Sequence, residues 1–211
     1  MKKRMSTAER AAKRMLDVML SGSGLIVSAP LWILIAAAIK AESRGPVFFT
    51  QPRVGECGRI FGTLKFRSMV VDAERDVGPI QASEHDSRVT RVGRVLRMSA
   101  MDELPQLWNI FRGDMSFVGP RALRPDEVEA DGGGEIVPIH QVPGFAERSA
   151  VRPGLTGIAQ IYAPRDVLRR HKFRYDRLYI RRQSFALDVR LICLSFWITA
   201  RGTWEVRSKK F

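Results

Sequence analysis

The chain of 211 residues carries a formal net charge of +13 at pH 7, which indicates an anionic partner: nucleic acid, an acidic membrane surface or a phosphorylated substrate. Its length allows one substantial domain, with or without a membrane element, and leaves little room for two full domains. Cys57 and Cys193 lack metal-ligand spacing and the three histidines lie in unrelated contexts, so the sequence predicts neither a zinc site nor a disulfide framework.

The first predicted element is an apolar segment from Val18 to Ile39, which contains no charged residue. As a helix it would reach about 33 Å, roughly the thickness of one bilayer core. Pro30 near its middle removes a backbone hydrogen bond and predicts a break, and each half alone is too short to cross. The segment is therefore predicted to be a membrane element of some kind.

Basic residues stand on both sides of this segment: Lys2, Lys3, Arg4, Arg10, Lys13 and Arg14 before it, and Lys40, Arg44, Arg53 and Arg59 after it. Because positive residues favour the cytoplasmic side, this symmetry favours a kinked hairpin with both ends in the cytoplasm. A straight single span is one alternative, and a cleaved signal peptide with a cleavage site near Ala36 is another. We predict a re-entrant membrane unit over residues 1–40 and a second unit at the cytoplasmic face over residues 41–211.

Two short strands and a basic helix are predicted next. Turn-forming Gly and Pro residues surround a short apolar run that begins at Val47, and residues 60–67 form a second strand-like run in which Lys65 and Arg67 would share one face. Arg88, Arg91, Arg94 and Arg97 recur at every third position and would trace a positive band along a helix. A solvated or lipid-facing surface explains the first three, whereas Arg97 is the better candidate for contacting phosphate.

The adjacent carboxylates Asp102 and Glu103 come at a predicted helix start. Ser99 has the spacing of a capping box, and apolar residues follow at helical intervals from Leu104 until Gly113. Acidic residues in a first turn can simply complement the helix dipole. The same dipole would keep an aspartate ionised and attract phosphate, so the pair also suits phosphoryl transfer through an acyl-phosphate, with Mg²⁺ as the expected ion.

Towards the end of the chain, residues 166–182 predict a basic helix, and Phe185 to Ala200 is apolar apart from Asp188, Arg190 and small hydroxyl residues. The second segment is too short and too charged to span a membrane. Phe196 and Trp197, with a basic tail at Arg207, Lys209 and Lys210, predict a helix in the headgroup layer. An ordinary amphipathic core helix is the alternative.

The block from Asp102 to Asn109, continued by residues 112–121, resembles the catalytic core of the bacterial sugar transferases called monotopic phosphoglycosyl transferases. The resemblance runs from Lys13 to about Trp197 and includes Lys13-Arg14 with Asp17, Pro30, residues 65–69, residues 152–160, Tyr175-Asp176, Ser184 and Asp188. Two positions depart from the family pattern. Ala122 stands where proline is usual, and Ala29 precedes Pro30 where small members often have serine.

The resemblance implies an α/β fold that is mostly α: a re-entrant helix-break-helix with its break at Pro30, a compact cytoplasmic catalytic domain with a few short strands, and interfacial amphipathic helices. It implies transfer of a sugar-1-phosphate from a UDP-sugar to polyprenyl (undecaprenyl) phosphate, with release of UMP, at the cytoplasmic face of a bacterial inner membrane. Such a reaction initiates glycoconjugate synthesis. The implied partners are these two substrates and an anionic bilayer, with a possible homodimer and no nucleic acid.

The same resemblance implies roles for individual residues. Asp102 would be the nucleophile that carries the phosphosugar, and Glu103 would assist by binding Mg²⁺ or by managing a proton, so both are candidate metal ligands. The residues expected to contact phosphate or nucleotide are Lys65, Arg67, Arg97, Arg121 and Arg152. Sugar specificity is expected in loops such as residues 72–86 and 124–150.

Two other functions stay open on the residues alone. The first is a basic peripheral protein that binds anionic lipid or nucleic acid without catalysis, which explains the charge but not the paired carboxylates. The second is a membrane-anchored magnesium phosphodiesterase or nuclease, which would use water as the acceptor and need no lipid.

Overall fold

The structure is a computed structural model that describes residues 5–73, 86–130, 135–164 and 167–201. Most of the loop predicted over residues 72–86 lies outside these ranges, as do Arg207, Lys209 and Lys210. The helices are α1 (Thr7–Glu42), α2 (Arg91–Met98), α3 (Gln106–Arg112), α4 (Phe145–Arg148), α5 (Ile158–Tyr162), α6 (Arg169–Arg182) and α7 (Phe185–Ala200). The strands are β1 (Phe48–Val54), β2 (Ile60–Phe66), β3 (Ser116–Val118), β4 (Val128–Ala130), β5 (Ile136–Pro138) and β6 (Gly154–Thr156). The fold is therefore mostly helical with a few short strands, as predicted.

The long helix α1 begins at a capping box, in which the side chains of Ser6 and Glu9 each accept a backbone N–H of the other residue. It is assigned as helix through Pro30, and the predicted re-entrant arrangement stays a prediction. By length and composition α1 could cross a membrane, and only 11% of its most apolar 18-residue window is buried. Its exposed apolar side chains include Met15, Met19, Ile26, Val27, Ile33 and Leu34. A core helix of a soluble protein would instead bury most of this surface.

The first half of α1 is bonded to the rest of the chain through two buried side chains. The Asp17 carboxylate accepts hydrogen bonds from Ser116 Oγ at 3.1 Å and from the Phe117 N–H at 3.0 Å. One turn earlier, Lys13 Nζ lies 2.6 Å from Asp188 Oδ2 on α7. A buried charge of this kind is stable only when paired, so these contacts hold α1 in one position against β3 and α7.

The last turn of α1 is bonded to the same body. The Glu42 carboxylate accepts the backbone N–H groups of Arg91 at 2.6 Å and Val92 at 2.9 Å, in the first turn of α2. The Arg67 guanidinium, directly after β2, donates to the Ser43 carbonyl at 2.8 Å. Both ends of the apolar helix therefore contact one compact unit.

The strands form three two-stranded sheets within the described residues: antiparallel β1–β2, parallel β3–β6 and antiparallel β4–β5. The main hydrophobic core gathers α1, α3, β3, α5, α6 and α7 around residues such as Ile110, Val118 and Tyr179. A second cluster joins the later part of α1 to β2 and α2 through Ile39 and Phe66, among others. Because Leu104 packs against both clusters, the segment that carries Asp102 and Glu103 lies between them.

Candidate active site

The carboxylate pair Asp102-Glu103 lies in a 3-10 turn that begins at Met101, between α2 and α3, and not in the first turn of an α-helix as predicted. The predicted capping box is also wrong. Ser99 ends α2, and its hydroxyl donates to backbone carbonyls of that helix. Ala100 then adopts a left-handed conformation with a φ of 55°, which turns the chain before the pair. Ser99 therefore belongs to the end of α2, whereas the prediction assigned it to the start of the next helix.

The helix α3 holds the pair against the core. It ends at Gly113, which has a left-handed φ of 95°, and this confirms the predicted stop. Leu107 and Ile110 are buried, whereas Trp108 and Phe111 are exposed and stack with ring centroids 6.0 Å apart. The buried side fixes the position of the turn, and the exposed aromatic side faces away from the core.

Glu103 is held by cations. Lys65 Nζ on β2 lies 2.5 Å from Glu103 Oε1, and Arg121 Nη2 lies 3.9 Å from the same oxygen. Burial alone would raise the pKa of Glu103, but the positive charges of Lys65 and Arg121 outweigh it and lower that pKa to about 2. Glu103 is therefore a permanent carboxylate at neutral pH.

Asp102 has the opposite shift. Burial raises its pKa to about 6, and the nearby positive charges of Lys65 and Arg97 oppose this only in part, while the Glu103 carboxylate adds to it. A helix dipole was expected to keep the pKa of Asp102 low. The structure has a short turn here in place of a helix start, and burial raises that pKa instead. Arg97 itself is an exposed residue of α2 and acts on Asp102 at a distance through its charge.

A small cleft with a cavity volume of about 20 Å³, partly open to solvent, adjoins Glu103. Its lining residues are Arg53, Thr63, Lys65, Glu103, Gln106, Met115, Arg121, Ala122, Gly154 and Leu155. The structure therefore brings together three of the predicted site residues, Lys65, Glu103 and Arg121, directly beside Asp102. Gly154 and Leu155 follow Arg152 and belong to β6, and Ala122 occupies the position that departs from the family pattern.

Arg53 is a cleft residue that the sequence reasoning treated only as a flanking charge. Its guanidinium donates to Gln51 Oε1 at 2.5 Å and to the Ala122 carbonyl at 3.0 Å. Burial, with the nearby charge of Arg121, lowers the pKa of Arg53 to about 10, so it stays charged at neutral pH. The signal that could have revealed it is the hairpin register, which pairs Arg53 with Phe61 and so places it on the same face as Lys65.

Two predicted phosphate ligands are directed elsewhere. Arg67 is 6% exposed, and its guanidinium donates to the carbonyls of Ser43 and Arg44 and to Ser43 Oγ, so it closes the end of α1 and does not line the cleft. Arg152 Nε pairs with Glu56 Oε2 at 3.3 Å beside the β1–β2 turn. Among the described residues, neither side chain bonds to the carboxylate pair, and their role in binding phosphate stays a prediction.

The fit of the site to Mg²⁺ depends on the substrate. Among the described residues, no group of three or more His, Cys, Asp or Glu side chains could enclose a metal ion. Mg²⁺ commonly uses one or two carboxylates and takes its other ligands from substrate phosphates and water. Lys65 already holds one oxygen of Glu103, so Asp102 and the other oxygen of Glu103 are the ligands that this pair could offer. The site fits that mode of binding.

Two kinds of comparison with known proteins identify the same family. Residues 8–202 match the family model described as bacterial sugar transferase. The chain is 43% identical over 191 residues to an undecaprenyl-phosphate glucose phosphotransferase of Komagataeibacter xylinus, covering 87% of this chain and 35% of the relative. It is 39% identical over 183 residues to a UDP-N-acetylgalactosamine-undecaprenyl-phosphate N-acetylgalactosaminephosphotransferase of Aeromonas hydrophila, covering 85% of this chain and 41% of the relative.

A third relative is closer in length. The exopolysaccharide production protein PSS of Rhizobium leguminosarum bv. phaseoli is 38% identical over 185 residues, covering 85% of this chain and 90% of the relative. The chain thus spans less than half the length of the first two relatives and most of the third.

Proposed function

Because the chain belongs to the bacterial sugar transferase family, we propose that it transfers a sugar-1-phosphate from a UDP-sugar to a polyprenyl phosphate such as undecaprenyl phosphate, releasing UMP. The observation that carries this proposal is the position of Asp102, a carboxylate with a raised pKa that is adjacent in the chain to Glu103. Glu103 and its ion-pair partner Lys65 line a cleft together with Arg53 and Arg121. The lipid-linked product would start a glycoconjugate such as an exopolysaccharide, the product named for one relative.

In the first step, an Asp102 carboxylate oxygen attacks the β-phosphorus of the UDP-sugar. The bond from that phosphorus to the bridging oxygen breaks, and UMP leaves with the electron pair. With a pKa of about 6, Asp102 is about nine-tenths ionised at pH 7, so it is available as a nucleophile. Lys65 and Arg121 at the cleft would neutralise the charge that develops on the phosphoryl oxygens.

In the second step, a phosphate oxygen of the polyprenyl phosphate attacks the same phosphorus. The bond to Asp102 breaks, which regenerates the carboxylate and leaves a polyprenyl diphosphate sugar. Glu103, whose pKa is about 2, holds Lys65 in place throughout and is less suited to carrying a proton. When bound by Asp102 and Glu103, Mg²⁺ supplies positive charge that offsets the charge of the phosphates.

The proposed location is the cytoplasmic face of the bacterial cell membrane, with α1 re-entrant. The exposed apolar side chains of α1 and the formal charge of +13 support contact with an anionic bilayer. A lipid acceptor would reach Asp102 from that side, and a nucleotide sugar from water. A homodimer, and the absence of nucleic acid among the partners, stay predictions.

The covalent step is tested with purified chain in lipid nanodiscs, supplied with Mg²⁺ and a panel of UDP-sugars. Without polyprenyl phosphate, we expect about one UMP per active site and a phosphosugar mass on the peptide that contains Asp102. With polyprenyl phosphate, we expect continuous release of UMP. Asp102→Asn should lose turnover by at least about 10³-fold, because the amide cannot attack phosphorus.

Arg59→Gln is the control, since Arg59 is exposed and outside the cleft, and it should keep wild-type turnover. Wild-type turnover by Asp102→Asn would exclude Asp102 as the nucleophile. Continuous hydrolysis without lipid would indicate the phosphodiesterase alternative, and lipid binding without nucleotide release would indicate a peripheral binding protein.

A further inference from the structure

The cleft contains one buried polar group without a hydrogen-bond partner among the described residues. Thr63 on β2 is 2% exposed, and its Oγ1 is buried without a partner. Gln106, the first residue of α3, is 5% exposed and lines the same cleft as Thr63, Lys65 and Glu103. A buried polar group usually has a partner, so the Thr63 hydroxyl requires an explanation.

The backbone places the two side chains next to each other. Thr63 precedes Lys65 by two residues in a strand and therefore lies on the same face. Gln106 follows Glu103 by three residues, and the backbone between them is helical, so it lies one turn further along the same side. Because Lys65 and Glu103 are in contact, Thr63 and Gln106 form a second pair beside that ion pair.

The strand around Thr63 is held rigidly. Asn109, one further turn along α3, accepts the Leu64 N–H at 2.9 Å through Oδ1 and donates to the Gly62 carbonyl at 2.8 Å through Nδ2. These two residues flank Thr63, so its hydroxyl keeps its position whether or not a ligand is present. Asn109 is itself 2% exposed, which protects both hydrogen bonds from water. A preorganised hydroxyl of this kind is suited to recognition.

The chemistry of the pair differs from that of the surrounding cations. Lys65, Arg53 and Arg121 suit phosphate oxygens, whereas Thr63 and Gln106 are neutral and can each both donate and accept. We infer that Thr63 and Gln106 bind a polar substituent of the sugar ring, a hydroxyl or acetamido group, and that Thr63, which lies outside the motifs shared with the family, contributes to the choice of sugar. This inference rests on the proposed transfer from a UDP-sugar. The relatives named for glucose and for N-acetylgalactosamine indicate that the sugar varies within the family.

The test compares Thr63→Val and Gln106→Met with the wild-type chain in nanodiscs. Valine keeps the shape of threonine without its hydroxyl, and methionine keeps the length of glutamine without its amide. We measure the affinity for UDP and for each UDP-sugar by calorimetry, and kcat/KM for UMP release. We expect the affinity for UDP to change less than twofold, and kcat/KM for the preferred UDP-sugar to fall on the order of tenfold. The ratio of kcat/KM for the preferred UDP-sugar to kcat/KM for the analogue that lacks the contacted group should fall by the same factor.

Two controls separate recognition from damage to the fold. Thr63→Ser restores a hydroxyl and should recover most of the sugar preference. Thr50→Val makes the same chemical change at an exposed position of β1 and should leave every parameter unchanged. Equal weakening of UDP and UDP-sugar binding would overturn the inference, and so would an unchanged ranking of sugars in active variants. If the wild-type chain discriminates between UDP-sugars and Thr63→Val loses that discrimination, but no UMP is released, the proposed transfer fails and the sugar subsite stands.

Discussion

Asp102 and Glu103 are adjacent in the chain, yet their surroundings give them different acidities. Glu103 contacts Lys65 at 2.5 Å and has a pKa of about 2, whereas burial raises the pKa of Asp102 to about 6. Environments that separate two carboxylates in this way commonly divide the roles in a mechanism. Here the residue with the higher pKa is the proposed nucleophile, and the other anchors the cation beside it.

The acid limb of the pH profile is a direct test of this division. Only ionised Asp102 can attack phosphorus, so kcat/KM for UMP release should fall as the pH drops through about 6, by about tenfold for each further unit. Glu103 should not contribute, since its pKa is about 2. The measurement is a profile from pH 5 to pH 8. A rate that stays constant down to pH 5 would show that Asp102 is not the titrating nucleophile.

Lys65 offers a matched variant for the same profile. Because its charge lowers the pKa of both carboxylates, Lys65→Met should move the acid limb to higher pH as well as slow the reaction. Lys65→Arg retains the charge and should leave the limb near its wild-type position. A slower Lys65→Met enzyme with an unmoved limb would mean that Lys65 acts only on the substrate.

At the residue scale, the sequence identified the carboxylates but only part of their surroundings. The family resemblance implied Asp102, Glu103, Lys65 and Arg121, whereas Thr63, Gln106 and Arg53 became visible as cleft residues only through the structure. Strand alternation also predicted that Arg67 and Lys65 share one face. The guanidinium of Arg67 instead donates to the carbonyls of Ser43 and Arg44 at the end of α1.

At the element scale, periodicity predicted which segments form helices better than it predicted their ends. The helix expected over Phe185 to Ala200 is α7, with those bounds, and residues 166–182 contain α6. In α7, Leu191 and Ile198 are buried while Phe196 and Trp197 are exposed, so one side is an ordinary core face and the other remains available for the headgroup layer. The start of α3 was wrong because Ser99 is already used by α2, a tertiary detail that capping rules do not contain.

Arg67 connects two elements, which predicts a loss of stability when it is removed. Arg67→Ala would leave the carbonyls of Ser43 and Arg44 without their donor, at the junction of α1 and β1. We expect the free energy of unfolding to fall by about 1–3 kcal/mol, measured as a lower Tm and urea midpoint in detergent. Arg59→Ala, at an exposed position, is the control and should change little.

The same variant decides between the two roles of Arg67. If it lines the phosphate site, as the resemblance implied, Arg67→Ala should weaken UDP binding without lowering the Tm. If it closes the end of α1, the Tm should fall first and UDP binding should persist at temperatures where the variant is folded. An unchanged Tm with weaker UDP binding would therefore identify Arg67 as a phosphate ligand.

At the scale of the whole molecule, the position of α1 constrains how the chain meets a membrane. Lys13 and Asp17 near one end, and Glu42 at the other, all make polar contacts to the same body. A straight span would carry those two ends to opposite sides of roughly 30 Å of hydrocarbon, and the body would have to follow. A helix that enters one leaflet and returns would keep both sets of contacts at the surface, and this topology stays a prediction.

Removal of α1 as a signal peptide is harder to reconcile with these contacts. Cleavage near Ala36 would take away Lys13 and Asp17. The buried Asp188 would lose its cation, and the Phe117 N–H would lose its acceptor. Buried groups that lose a charged partner destabilise a fold strongly. The contacts therefore favour a helix that stays with the body.

Cysteine labelling tests the topology in full. Ala8 and Ala41 are exposed residues near the two ends of α1, and each is changed to cysteine in a chain whose native Cys57 and Cys193 are serine. A membrane-impermeant maleimide is applied to intact spheroplasts and to inverted vesicles. We expect both positions to react only in inverted vesicles, where the cytoplasmic face is outside. The single native cysteine at 57, tested alone, reports the side of the catalytic body and should behave in the same way. Reaction of one end in spheroplasts and of the other in inverted vesicles would establish a span and exclude the re-entrant helix, since no hairpin can expose its ends on opposite faces.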